Sequence, residues 1–152
     1  MKSLILATAL FAAMPTFAHQ TYNELFDSIM EISLKEGLKG TYTKNGKVVA
    51  RNKPCVMSLE DIDSWSSDGT VTADLLQFYV AGKDMGTDLE TWELTTERTL
   101  TSGAVKYSHN FDGRNCKYSN ELTVLKGKSV TLMVAKQCRN GVKTRDSISC
   151  SI

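Results

Sequence analysis

Long apolar runs, proline, histidine and any surplus of charge are all scarce in this 152-residue chain, and each shortage closes off a class of protein. After the segment Leu4 to Met14 no apolar stretch approaches the ~20 residues a membrane-crossing helix needs, so no membrane span is expected. The 18 lysines and arginines face 17 aspartates and glutamates, and removal of Lys2 with a leader would make the two equal. Such a balance gives no net field to draw nucleic acid or an anionic membrane, and no basic stripe interleaved with aromatics compensates for it. Only two prolines occur, with no repeat, low-complexity tract or Pro/Gly/Ser linker, which points to one domain over residues 19–152. No cysteine pair has zinc-knuckle spacing and neither histidine is near a cysteine, so neither a metal nor another cofactor is implied.

The N-terminus is the exception to the shortage of apolar runs. Lys2, the run Leu4 to Met14, Pro15, and the small pair Thr16 and Ala18 read as a signal peptide, residues 1–18, cleaved after Ala18. That places the mature chain in the periplasm or outside the cell. All four cysteines (Cys55, Cys116, Cys138, Cys150) survive cleavage, and an even number in an exported chain implies two disulfides.

Thr21 to Glu36 is expected to be a helix. Thr21 and Glu24 form a capping box, Gly37 stands at the C-terminal cap position, and Tyr22, Leu25, Phe26, Ile29 and Ile32 share one face. That face must be buried, with the helix as plug or cover of a sheet. Beyond it the chain reads as β. Lys39–Lys44 and Lys47–Arg51 flank Asn45-Gly46, a strong hairpin signal that sets Tyr42 opposite Val49. Pro54 to Leu59 reads as a short strand, Glu60 to Gly69 around Trp65 as a loop or short helical turn at the rim or forming a lid, Thr70 to Ala81 as an apolar strand, and Gly82 to Thr87 as its turn.

From Leu89 to Ile152 period-two alternation recurs between turns, the pattern of an antiparallel meander. A two-residue loop at Ser102-Gly103, a four-residue loop at Asp112 to Asn115, and three-residue loops at Lys126 to Lys128 and Arg139 to Gly141 set a register with four inward rows. The outer two rows are apolar: Leu94, Phe111, Cys116, Cys138, Val142 and Leu100, Val105, Leu122, Leu132, Ile148. Between them lie Thr96, His109, Tyr118, Lys136, Thr144 and Arg98, Tyr107, Asn120, Val134, Asp146. The same register puts Cys116 directly opposite Cys138 and Cys150 opposite Val130. Val130 lies eight residues from Cys138, about 27 Å at the usual rise. Cys116–Cys138 and Cys55–Cys150 are therefore the expected disulfides.

The fold class that follows is mainly β: an antiparallel up-and-down meander curled into a barrel or strongly curved sheet, with one N-terminal helix packed on it. With Gly40-Thr41-Tyr42 opening the meander after a helix, the chain resembles the calycin barrels, whose first strand carries glycine, any residue, tryptophan. The resemblance implies a closed barrel that holds a ligand in its mouth.

Buried polar groups need partners, water or a ligand. Arg98, Tyr107, His109, Tyr118, Asn120 and Lys136 are thus the candidate ligand-binding residues, with Leu94, Phe111, Leu100 and Leu122 as apolar floor and ceiling. The expected function is non-enzymatic binding of a small amphiphilic or anionic molecule. Arg98 would anchor a carboxylate or phosphate unless it pairs with Asp146. Two alternatives stand beside this. Ser102, Gly103 and Tyr107 resemble the serine, glycine, two residues, tyrosine motif of periplasmic lysozyme inhibitors, which implies an exported protein partner, a cell-wall hydrolase. Three residues separate Gly103 from Tyr107 here, so only Ser102 and Gly103 transfer. The other is a small hydrolase using His109 as general base, for which the rows offer no serine or cysteine nucleophile.

Overall fold

The computed structural model describes residues 22–66, 69–92 and 98–152, with backbone alone for 62–66, 69–72 and 98. The leader segment 1–18, the Thr21 half of the capping box, Leu94 and Thr96 lie outside the described residues.

Helix α1 spans Tyr22–Ser33, three residues short of the expected end at Glu36. Gly37 follows at φ +72°, a left-handed conformation that glycine adopts without steric cost. Leu25, Ile29 and Ile32 are buried, and Tyr22 and Phe26 pack partly buried against the same core, so the amphipathic stripe lies where its spacing put it.

The strands are β1 (Lys39–Lys44), β2 (Lys47–Ser66), β3 (Gly69–Val80), β4 (Lys83–Asp88), β5 (Arg98–Thr99), β6 (Val105–Asp112), β7 (Cys116–Leu125), β8 (Ser129–Cys138) and β9 (Lys143–Ser151), with a 3-10 turn at Leu89–Thr91. They form one antiparallel sheet in the order β4-β3-β2-β1-β9-β8-β7-β6-β5. First and last strands pair, so the meander closes on itself at β1–β9 and opens between β4 and β5: a half-barrel with the helix packed on it.

Two expectations about the first half of the chain are overturned. Glu60 to Ser66 and Gly69 are strand and not loop: β2 runs unbroken for 20 residues, its first part against β1 and its second against β3 from Cys55↔Val80 to Ser66↔Gly69. Beyond Leu75, where β4 stops pairing, this hairpin is a two-stranded ribbon. The pairing of a two-stranded ribbon is made by backbone groups, so a polar, turn-rich sequence can hold it and still read as loop. Gly82 to Thr87 is not a turn but most of β4. The reversal is Ala81-Gly82, with φ of +51° and +80°. Tyr42 also faces Ala50 in place of Val49, because register shifts interrupt the β1–β2 pair; Asn52, at φ +54°, lies within the same stretch of β2.

In the meander the β7–β8 and β8–β9 registers are as expected, with Cys116↔Cys138, Leu122↔Leu132 and Val130↔Cys150. The β6–β7 pair is shifted by two residues: Phe111 faces Tyr118, His109 faces Asn120 and Tyr107 faces Leu122. Gly113 donates to the Cys116 carbonyl at 2.8 Å, leaving Arg114-Asn115 as a two-residue loop. A Cβ at Gly113 would come within 2.9 Å of the Tyr118 ring, so only glycine pairs over it there. An even shift keeps the inward set inward but moves it by one row. In β5–β6 the loop is Thr101 to Gly103, with Gly103 at φ +82°, and Arg98 pairs with Lys106. That shift of one residue sets the Arg98 backbone opposite Lys106 and not opposite Tyr107.

The core fills the lower half of the concave side. Tyr107, Leu122, Leu132, Ile148 and Tyr42 form one continuous row, and Val124, Val130 and Cys150 part of the next. The helix stripe and Met57, Leu59, Leu76, Phe78, Val80 and Leu89 complete the cluster. Gly40 ends the second row, where Val80 occupies the space of a side chain: an added Cβ would meet its Cγ2 at 2.4 Å.

Disulfides join Cys55 to Cys150 and Cys116 to Cys138, at Cα separations of 5.9 and 4.0 Å. They are the chemistry of an oxidising environment. No described helix is long and apolar enough to cross a membrane.

Candidate functional site

Above the core, two inward rows remain that the helix does not fill: His109, Asn120, Val134, Asp146 and Phe111, Tyr118, Lys136, Thr144. Strand alternation points them to the concave side, and the opening between β4 and β5 leaves them room. An aromatic file crosses this region. Trp92 lies 5.4 Å from His109, His109 lies 5.3 Å from Phe111, and Phe111 stacks on Tyr118 at 4.7 Å with planes 7° apart. Trp92 is buried and its indole N–H donates to Thr87 Oγ1 at 2.9 Å, tying the end of β4 across the open seam to β6. Phe111, at the other end of the file, is 43% exposed.

A cavity of about 210 Å³ sits between β4 and the upper rows, lined by Lys83, Met85, Gly86, Tyr118, Val134, Lys136, Thr144 and Asp146. Asp146 already accepts from the Tyr42 hydroxyl and from the Asn45 backbone, both at 3.3 Å. Burial and then the neighbouring carboxylate raise the Tyr42 phenol above its ordinary pKa. Asn120 is buried in the adjoining position, and its Oδ1 has no hydrogen-bond partner among the described residues. A second cavity, of about 610 Å³, is lined by Asn110, Asp112, Lys117, Ser119, Ala135, Gln137 and Lys143 of the outward rows and by Phe111, and meets the first at Tyr118, Lys136 and Thr144.

Of the six residues expected to bind ligand, four come together here: His109, Tyr118, Asn120 and Lys136. Tyr107 is fully buried in the core row and takes no part, and Arg98 belongs in register with Lys106. Of the expected floor and ceiling, Phe111 joins the site itself, Leu122 lies in the core beneath it, and Leu100 sits at the β5–β6 turn. Sequence reasoning missed Lys83, Met85 and Gly86, because β4 reads as a turn, and missed Trp92. The Trp-Glu-Leu-Thr alternation from residue 92 was the available signal, but it reads as strand.

His109 is flanked by the Trp92 and Phe111 rings and faces Asn120, with no carboxylate among these contacts to orient it. No cluster of metal-ligating side chains exists among the described residues. Ser102 and Gly103 build their own turn: Ser102 Oγ accepts from Ala104 N at 3.4 Å, and Gly103 N donates to Leu100 O at 2.9 Å.

Fold and site together define a disulfide-stapled antiparallel half-barrel with a partly filled concave face. No family model, no curated protein and no solved structure matches the chain.

Proposed function

We propose that this is an exported binding protein, periplasmic or secreted after loss of residues 1–18, which holds a small amphiphilic or anionic molecule in the upper half of its concave face. One observation carries the reading: a cavity lined by two ammonium groups, Lys83 and Lys136, and by Asp146, whose carboxylate already accepts from Tyr42 and Asn45, includes Tyr118, whose ring stacks on the exposed Phe111. The ammonium groups suit an anionic head, and the Phe111 and Tyr118 rings suit an apolar body lying across them. At about 210 Å³ the cavity takes a head group only, so the body of the ligand rests on Phe111 outside it. The calycin resemblance at Gly40-Thr41-Tyr42 points the same way.

Native mass spectrometry of protein purified from its own host tests this directly. A retained small molecule, lost in Lys136→Ala and Phe111→Ala proteins that melt like the parent, is the expected result. A clean apo mass, together with capture of a cell-wall hydrolase from the exported fraction, would replace this reading with the inhibitor alternative. Activity that disappears in His109→Ala would replace it with the hydrolase.

A further inference from the structure

Balanced overall charge conceals strong segregation. Residues 55–97 carry ten acidic side chains and one lysine, whereas residues 105–152 carry nine basic and three acidic ones. The second set belongs to β6–β9, and its cations concentrate at the end closed by the Cys116–Cys138 disulfide. There the cavity of about 610 Å³ adjoins another of about 420 Å³, the two sharing Asp112, Lys117 and Gln137. Lys117 and Lys143 line the first and Lys117 and Arg139 the second, against the single carboxylate of Asp112.

We propose that this groove binds a linear acidic polysaccharide, a partner distinct from the small molecule of the concave cavity. Its cations alternate with Asn110, Ser119 and Gln137, exposed groups that both donate and accept, as a hydroxyl-rich chain requires. A polyphosphate chain offers acceptors alone, so the accepting oxygens of Asn110, Ser119 and Gln137 would have no use there. A bilayer is flat, whereas these cations line depressions. From β6 to β9 the groove crosses about 14 Å at the usual strand spacing, room for a short run of sugar units. In sheet order the acid-rich strands β2–β4 lie on the far side of β1 from β6–β9, so the cations are concentrated in one part of the sheet.

Calorimetric titration of the full mature protein with oligogalacturonate, with maltoheptaose as the neutral control, tests the proposal. Binding is expected at about 50 mM salt and should weaken by roughly tenfold or more at about 300 mM as counterions compete. The double variant Lys117→Glu/Lys143→Glu should bind at least about tenfold more weakly, with an unchanged melting temperature and unchanged uptake of any concave-face ligand. No binding of oligogalacturonate at low salt would overturn the proposal, as would unaltered affinity in the double variant. Equal affinity for polyphosphate, single-stranded DNA or phosphatidylglycerol vesicles would overturn it too, by showing simple ion exchange.

Discussion

Asn120 holds a buried carbonyl oxygen with no partner among the described residues, a situation that costs about 1–3 kcal/mol unless a ligand or water fills it. Asn120→Val removes the unsatisfied oxygen and suits a strand interior. The ligand-free protein should therefore melt a few degrees higher, while the retained ligand should be lost. A lower melting temperature would show that the carboxamide is already satisfied in the folded protein. Tyr22 presents the opposite case. Its hydroxyl donates to the buried Asp74 carboxylate, and burial, that hydrogen bond and the charges of Asp74, Glu90 and Asp88 raise its pKa far above the ordinary phenol value. The Tyr42 phenol is raised in the same direction. A folded-state pKa raised above the unfolded value contributes stability that is complete below the unfolded value, about 10, and is lost as pH climbs past it. Denaturant midpoints should thus hold between pH 7 and 9 and fall above about pH 10. Tyr22→Phe should flatten part of that alkaline fall, and at neutral pH it should cost about 1–3 kcal/mol by leaving Asp74 without its donor. A variant as stable as the parent at pH 7 would deny the bond any net value.

The two disulfides constrain very different lengths of chain, 95 residues for Cys55–Cys150 and 22 for Cys116–Cys138. Chain-entropy reasoning gives about 4.7 kcal/mol for the long link and about 3.4 for the short one, so losing the first should cost roughly 1 kcal/mol more. Chemical denaturation of the two paired-alanine variants measures the difference, and the reverse order would mean that local strain outweighs loop entropy. Both pairings were legible because the β7–β8–β9 registers are pinned by loops whose glycines, Gly127 and Gly141, sit at positive φ. Elsewhere the loop chemistry misled. Asp112 to Asn115 contains four good turn residues, yet Gly113 bonds to the Cys116 carbonyl and leaves only Arg114-Asn115 as the loop, and every inward side chain of β6 moves by one row. At Thr101 to Gly103 a single residue of loop length separates the expected Arg98–Tyr107 pair from the observed Arg98–Lys106 pair. Strand β4 lacks alternation and β-branched residues apart from Thr87, so pairing alone reveals it, and with it one wall of the cavity. At Gly40, where the calycin-like motif falls, the glycine has a packing reason. Gly40→Ala should cost about 1–3 kcal/mol by driving a methyl group into Val80, and it should be partly rescued by Val80→Ala.

At the scale of the molecule the helix, the meander and its closure through the last strand follow from amphipathic spacing and turn positions, whereas the opening of the barrel does not. Nothing local distinguishes a strand that finds a partner from one left at an edge. The opening falls between β4 and β5, and Trp92 bridges it, buried against His109 of β6 and bonded to Thr87 of β4. Two effects in this side chain separate by substitution. Trp92→Phe keeps a ring beside His109 and loses only the indole N–H bond, so it should cost about 1 kcal/mol. Trp92→Ala removes the whole wedge from a site that cannot collapse across an open seam, and it should cost about 3–5 kcal/mol. Because the seam is also the boundary of the ligand cavity, Trp92→Ala should expose apolar surface at the core's upper edge and bind a hydrophobic dye in the native state. Trp92→Phe should not. If the alanine protein instead unfolds at the parent's denaturant midpoint and stays dark to the dye, the two halves of the sheet hold together through β1–β9 and the helix alone. The file of rings would then serve the ligand and not the fold.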